Sequence, residues 1–129
     1  MAECNVKVSI IIPHWNGIET LSECISSLLK TKHDSYEIIV VDNNSTDGSQ
    51  TWIKNTYPQI RLIENDKNYG YAGGCNRGAL DANGDYLVFL NNDTIQDPDW
   101  IKHLEIIMEK EKMIAAVQPK ILNYYNKNI

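Results

Sequence analysis

The chain has 129 residues, 43% hydrophobic and 22% charged, an ordinary globular composition with enough length for one domain around a real core. A formal net charge of -5 argues against a broad nucleic-acid surface, which needs clustered Lys and Arg, so no nucleic-acid partner is expected. Cys4, Cys24 and Cys75 are widely spaced without a CxxC pair, which speaks against a disulfide framework and for a reducing cytoplasm, and the scattered His14, His33 and His103 form no zinc signature.

In chain order, "VKVSIIIP" from Val6 predicts a first buried strand; it is too short for a signal segment and stops at Pro13. Ile18, Leu21, Ile25, Leu28 and Leu29 then recur at three- and four-residue spacing, one apolar stripe of a helix. "YEIIVVD" from Tyr36 predicts the second strand. Trp52, Ile53 and Tyr57 mark a second helix that Pro58 stops, and "IRLIE" from Ile60 a third strand. "YGYAGGCNRGALDAN" reads as a glycine-rich loop that becomes helical near Cys75. "YLVFL" from Tyr86 predicts a fourth buried strand. Asp97 and Pro98, an N-cap and first-turn pair, open a helix burying Trp100, Ile101, Leu104, Ile107 and Met108. "MIAAVQPKIL" from Met113 is a weaker fifth strand candidate. No run approaches the roughly 18 apolar residues of a transmembrane span. Strands rich in Ile and Val that do not strictly alternate, separated by helices, predict an α/β fold: a doubly wound, mostly parallel sheet with helices on both faces.

Ligands in such sheets bind beyond the carboxyl ends of the strands, where strand order reverses. Three polar clusters fall at that edge: "HWNG" with His14 and Asn16, "DNNSTDGS" with Asp42, Asn43, Asn44 and Asp47, and "NNDT" with Asn91, Asn92 and Asp93. One cluster is explained by turn chemistry; three on one edge point to a shared ligand site. Asp93 is either a turn residue or a ligand of Mg2+ or Mn2+, since a carboxylate among amide and hydroxyl oxygens suits a hard cation. Asp42 either caps the next helix or accepts hydrogen bonds from a ribose or base; Ser45, Thr46 and Asp47 serve the cap equally well, which favours the ligand. Gly70, Gly73, Gly74 and Gly78 permit close backbone approach or positive φ, or a flexible loop, and Arg77 is either a phosphate partner or a solvated helix residue. The GxGxxG, GxxxxGK[ST] and GxSxG patterns are absent from the chain.

"VSIIIPHWNGIETLSECISSLL", "EIIVVDNNSTDGS", "NYGYAGGCNRGA" and "DYLVFLNNDT" together resemble the family 2 glycosyltransferases of GT-A fold, from about Val8 to Leu122. The wording "NYGYAGGCNRG" and "NND" is most similar to the rhamnosyltransferase branch. The resemblance implies a Rossmann-like, nucleotide-sugar-binding domain taking a dTDP- or UDP-sugar, and an inverting, metal-assisted transfer to a glycan or lipid-linked acceptor in cell-surface polysaccharide or glycan synthesis. Pro13, His14 and Asn16 would lie beside the nucleoside, Asp42 would bond the base, Asn44 belongs to the same edge, and Asn68, Gly70 and Asn76 would flank the nucleotide. The DxD-type motif falls on Asn91, Asn92 and Asp93, with Asp93 as the metal ligand; Asn91 in place of the first acid is a departure.

Inverting members carry an Asp or Glu base in the second half of the domain, which has no counterpart here. Residues 1–129 are therefore expected to be the donor-binding part, with no base assigned, apolar sheet surface left uncovered and a homodimer as one consequence. The expected setting is cytoplasmic, peripheral at the inner membrane face. Two other readings remain open: a non-catalytic nucleotide-sugar-binding module, and a nucleotidyltransferase-like α/β enzyme that would prefer a nucleoside triphosphate.

Overall fold

The computed structural model describes residues 7–126. Its elements are β1 (Val8–His14), α1 (Ile18–Leu28), β2 (Tyr36–Asp42), α2 (Ser49–Thr56), β3 (Arg61–Glu64), α3 (Gly70–Asp81), β4 (Tyr86–Phe89) and α4 (Trp100–Lys110). The strands form one parallel sheet in the order β3-β2-β1-β4. Register pairs His14 with Asp42 and Asp42 with Glu64, so the first three strands end together, and Leu90 N–H extends β4 by donating to the Ile11 carbonyl at 2.9 Å.

Alternate side chains of the central strands face opposite ways, and both faces are apolar. Ile10, Ile12, Ile38 and Val40 pack on one face against Leu21, Cys24, Ile25 and Leu28 of α1, Ile53 of α2, and Trp100 and Ile101 of α4. Ile11, Ile39, Val41 and Ile63 turn to the other face, where α3 packs. The division follows from the handedness of parallel crossovers. Steps from β1 to β2 to β3 move one way and carry α1 and α2 on one face. The return from β3 to β4 moves the other way and must carry α3 on the opposite face. Strand order thus reverses between β1 and β4.

The doubly wound α/β expectation agrees with this architecture; several local expectations do not. α3 begins at Gly70, before the expected start near Cys75. Each glycine costs a helix about 0.8–1 kcal/mol relative to Ala, which is why the stretch reads as a loop. Here the glycines let the helix lie directly on the sheet: a Cβ on Gly78 would stand 2.4 Å from Ile11 Cγ2, and one on Gly74 2.8 Å from Pro13 Cβ. α4 begins at Trp100 rather than at Pro98, because Asp97 caps a turn ahead of it: Asp97 Oδ1 accepts the Asp99 N–H at 2.9 Å, and the Asp97 carbonyl accepts the Trp100 N–H at 3.1 Å. Leu29 and Ile107, placed on buried stripes by spacing, are exposed. Tyr57 lies just past α2. In β4, Leu87 and Phe89 are 42% and 48% exposed rather than buried, since they face the side where α3 packs on β1 and β2.

The expected fifth strand from Met113 is absent: residues 113–122 form no strand, and Met113 is 96% exposed. Handedness supplies a reason. α4 lies on the face of α1, so a strand added beyond β4 through α4 would reverse the hand of the β1-α1-β2 unit. Val6 and Cys4 lie outside the described residues, and Cys24 and Cys75 are free and buried. Among the described residues no helix is long and apolar enough to cross a membrane.

Gly78→Ala decides whether helix propensity or fit governs α3. Propensity favours the variant by about 1 kcal/mol; the contact with fully buried Ile11 opposes it by about 1–3 kcal/mol, as overpacking does. We expect net destabilisation, read as a lower urea midpoint, and a raised midpoint would show that α3 lifts off the sheet at little cost.

Candidate functional site

A cleft of about 240 Å³ opens at the carboxyl edge, lined by Pro13, His14 and Trp15 of the β1 end, Asn43 after β2, Asn68, Gly70 and Tyr71 at the start of α3, and Asn92 after β4. It sits where the strand order reverses, because β1 and β4 are neighbours there and their following segments diverge.

Asp42 ends β2 opposite His14 and is 0% exposed. Its Oδ2 accepts from Ser45 N–H at 2.9 Å and from Gln50 Nε2 at 2.7 Å, so half of this carboxylate does serve the turn. Its Oδ1 is buried without a hydrogen bond, alone in this among the described side-chain atoms. Asn43 joins the next layer: its Nδ2 donates to the Gly70 carbonyl at 3.0 Å, and its Oδ1 accepts from Asn65 Nδ2 at 2.9 Å. Asn68 Oδ1 accepts the Gly70 N–H at 2.8 Å, and Gly70 adopts a φ of 71°, in the left-handed region that favours glycine because it has no Cβ. These bonds tie the end of β2 to the first turn of α3.

His14 is buried between β4 and α2. Its Nε2 lies 2.9 Å from Ser49 Oγ and its Nδ1 3.0 Å from Asn92 Nδ2. Burial pushes the imidazole below its ordinary 6.5, outweighing the opposing fields of Asp42 and Asp47. Asp47 Oδ1 accepts from Ser49 Oγ at 2.5 Å and its Oδ2 from Gly17 N–H at 2.7 Å. Burial works against the Asp47 carboxylate, yet these bonds hold its pKa below the ordinary 3.8. Asn16, at a φ of 54°, stitches the same loops: its N–H donates to Ser45 Oγ and its Oδ1 accepts from Thr46 N–H, both at 2.8 Å.

Of the residues singled out in the sequence, Pro13, His14, Asn68, Gly70 and Asn92 converge on the cleft, and Asp42 lies directly behind it in the sheet. Asn16 holds the loop, and Asn44, at a φ of 61°, is exposed. Asn76 is not brought there: with Arg77, which pairs with Asp81 at 3.0 Å, it lines a separate depression of about 500 Å³ beside β3. The Asn91 carbonyl accepts from Thr94 Oγ1 at 2.8 Å while its side chain is exposed. Trp15, Tyr71, Ser49 and Gln50 were missed, although Trp15 lies inside "HWNG", Ser49 ends "DNNSTDGS" and Tyr71 lies inside "NYGYAGG"; only Gln50 falls outside those stretches.

Asp93 is exposed and forms no salt bridge or hydrogen bond with the described residues. Among those residues no group of three His, Cys, Asp or Glu side chains could hold a metal ion. One free carboxylate beside amide oxygens fits a hard cation that takes the rest of its shell from water and phosphate, as Mg2+ does, and does not fit a closed protein cage.

The profile of the family described as "Glycosyl transferase family 2" matches residues 9–128. Glycosyltransferase GlyG of Streptococcus pneumoniae serotype 4 is 30% identical over 123 residues, which cover 92% of this chain and 39% of that protein. Residues 1–349 of TarS from S. aureus superimpose with a TM-score of 0.75 at 19% identity, covering 89% of this chain and 39% of that one. TarS has also been solved with UDP and with UDP-GlcNAc. Mannosyltransferase PcManGT from Pyrobaculum calidifontis, in complex with GDP-Man and Mn2+, gives a TM-score of 0.73 at 23% identity over 79% of this chain and 32% of its own. At such identities these two structures show the fold alone, the GT-A arrangement. The chain spans well under half of each of these proteins.

The opposite edge of the sheet holds the acids of α4. Glu105 pairs with Lys7 and, at 2.9 Å, with His33; Glu109 accepts from Tyr86 Oη at 2.8 Å and lies 3.4 Å from Lys7. Lys7 precedes β1 and Tyr86 opens β4, so both acids sit at the amino ends of the strands, away from the cleft. The Lys7 hydrogen bond holds Glu105 below its ordinary 4.5. A depressed folded value means that this stabilisation is present above the unfolded pKa and fades as pH falls below about 4.5. Glu105→Gln should therefore be less stable than wild type at pH 7, with the difference closing below pH 4.5 in acid-unfolding curves. A difference that stays constant through that range would show that the ion pair contributes nothing.

Proposed function

The chain belongs to glycosyl transferase family 2, and on that premise we propose that its carboxyl-edge cleft binds the nucleoside diphosphate of a sugar donor for transfer to a glycan or lipid-linked acceptor. The observation that carries the reading is Asp42 Oδ1, a fully buried acceptor without a partner at the end of β2. A buried unsatisfied acceptor costs about 1–3 kcal/mol, more when charged, and a ligand N–H relieves that cost. Uracil, thymine and guanine carry an imino N–H on the pairing edge; adenine and cytosine do not. A dTDP- or UDP-sugar is the donor proposed here, a choice supported by the UDP complexes of TarS.

Asn43, Asn68 and Gly70 hold the first turn of α3 against the nucleotide side, while Trp15 and Tyr71 offer ring faces to a base or ribose. Asp93 would hold Mg2+ or Mn2+; a cation bound there supplies Lewis-acid stabilisation of the diphosphate leaving group. An acidic chain, net charge -5, gains from such a cation when it holds an anionic ligand.

Residues 1–129 are proposed as the donor-binding part of a larger GT-A enzyme, inverting and metal-assisted, working on cell-surface polysaccharide or glycan. The wording "NYGYAGGCNRG" supports a rhamnosyltransferase-like specificity. The free thiols Cys24 and Cys75 agree with a cytoplasmic setting, peripheral at the inner membrane face, and exposed Leu87 and Phe89 with a homodimer. No described carboxylate at the cleft is free to act as a base: Asp42 and Asp93 are assigned to base and cation, and Asp47 to Ser49 and Gly17.

Titration calorimetry tests this directly. UDP or dTDP should bind more tightly with Mn2+ than without, and ADP and CDP weakly. Asp42→Ala should lose about 1.5–3 kcal/mol of nucleotide affinity, the range for a hydrogen bond to a charged group. Asp93→Ala should lose most of the metal-dependent increment, whereas Asp97→Ala should cost only about 0.5–2 kcal/mol of stability through its turn. Equal binding of UDP and ADP would remove the imino-acceptor role, and Mn2+ dependence undiminished in Asp93→Ala would remove the metal assignment.

A further inference from the structure

We infer that the depression beside β3 is a second binding site, one that takes a neutral saccharide chain, a stretch of the glycan acceptor held apart from the nucleotide cleft. That the chain is the acceptor rests on the glycosyl-transfer reading above. That the site takes sugar rests on its own side chains.

The depression measures about 500 Å³, against about 240 Å³ for the cleft. α3 lays Gly74 and Gly78 on the sheet. Gly73, Asn76, Arg77 and Leu80 recur at three- and four-residue spacings on another side of the helix, and line the depression with Tyr69 just ahead of them. A helix face that only meets water is best filled with Lys, Glu and Ala. This stripe carries none of them, exposes Leu80 at 81%, and has at 73 a glycine, which weakens a helix relative to Ala. The glycine has a local cause: a Cβ there would stand 2.5 Å from Tyr69 Cβ. Tyr69 can therefore lie close on α3. Its Oη donates to Asp66 Oδ1 at 2.8 Å, and Lys67 Nζ lies over the ring, 5.0 Å from the centroid. The ring is thus a held wall of the depression, and it is still 49% exposed.

The charges around it cancel. Glu64 pairs with Lys54 at 2.6 Å, Arg77 Nη1 pairs with Asp81 at 3.0 Å, and Asp66 and Lys67 both engage Tyr69. A balanced rim gives an ionic ligand no net attraction. The groups left over are flat and polar. Asn76 forms no side-chain hydrogen bond among the described residues, and Asn65 spends Nδ2 on Asn43 and keeps Oδ1. Arg77 keeps the guanidinium N–H groups beyond Nη1. A carboxamide and a guanidinium each offer several hydrogen-bonding atoms in one plane, a match for adjacent hydroxyls. A tyrosine ring and an exposed leucine suit the C–H face of a pyranose. A neutral, polyhydroxylated ligand with an apolar face uses all of these groups. Asn65 Nδ2 at 2.9 Å and the Tyr69 N–H at 3.4 Å both donate to Asn43 Oδ1, and Asn43 lines the cleft. The two hollows share a wall, so a glycan seated in the depression stays beside the nucleotide.

Proton–nitrogen correlation NMR of the 15N-labelled chain supplies the test, with maltohexaose, chitohexaose and mannohexaose as probes and oligogalacturonate as the anionic control. Without nucleotide, at least one neutral probe should shift the amides of Gly73, Asn76, Arg77 and Leu80, and the anionic control should not. Asn76→Ala and Arg77→Ala, each shown folded by circular dichroism, should weaken that binding about 5-fold or more, as the loss of one or two hydrogen bonds does. Both should leave the binding of UDP or dTDP with Mn2+ unchanged. The inference is overturned if no neutral probe shifts those amides, if oligogalacturonate binds more tightly, or if both variants bind as wild type does. If the sugar binds but neither nucleotide does with Mn2+, the functional reading falls and the acceptor assignment with it, while the saccharide site stands.

Discussion

Strand order reverses between β1 and β4, and each neighbouring connection is carried to the face that handedness demands. With α1 and α2 on one face and α3 on the other, the segments leaving β1 and β4 part company at the carboxyl edge. A crevice there follows from topology before any side chain is considered. What lines it is whatever residue happens to end each strand, so polar residues at those ends become site residues without any separate folding device.

That edge carries an energetic problem. It brings buried polar groups close together, and each needs a partner. Most find one: Asn43 joins Asn65 and Gly70, His14 joins Ser49 and Asn92, and Asn16 joins Ser45 and Thr46. The bonds run between segments far apart in sequence, so they hold the loops in register with the sheet. Against that background one oxygen of Asp42 stands out as lacking a donor. A buried acceptor left open in an otherwise satisfied network is where a ligand contributes most.

α3 shows the same economy on the other face. A helix bearing a residue larger than glycine at position 78 would be held off Ile11 and Val41, and its first turn would move away from Asn43. Close packing of α3 is therefore part of the site's geometry, although residue 78 touches no ligand. The amino edge is organised differently, by the charges of Lys7, Glu105 and Glu109, and serves to dock α4.

Much of this protein was legible in the chain itself. Runs such as "VSIII" and "EIIVVD" declare buried parallel strands, because such strands lack the polar alternation of a half-exposed sheet. Polar clusters at their ends declare the edge, and the combined motifs declare the family. Other features depend on contacts that no local pattern contains. The glycines of α3 read as a loop until the sheet beneath them is known. Leu87 and Phe89 read as buried until the limits of α3 are seen, and residues 113–122 read as a strand until handedness denies them the free side of β4. Asn76 shares a motif with Gly70 yet faces another depression, since successive helix residues point in different directions. Asn92 meets His14 at 3.0 Å although 78 positions separate them in the chain. Sequence determines which groups stand at each strand end; only the folded sheet decides which of them meet, because hydrogen bonds between distant segments depend on where crossovers bring them.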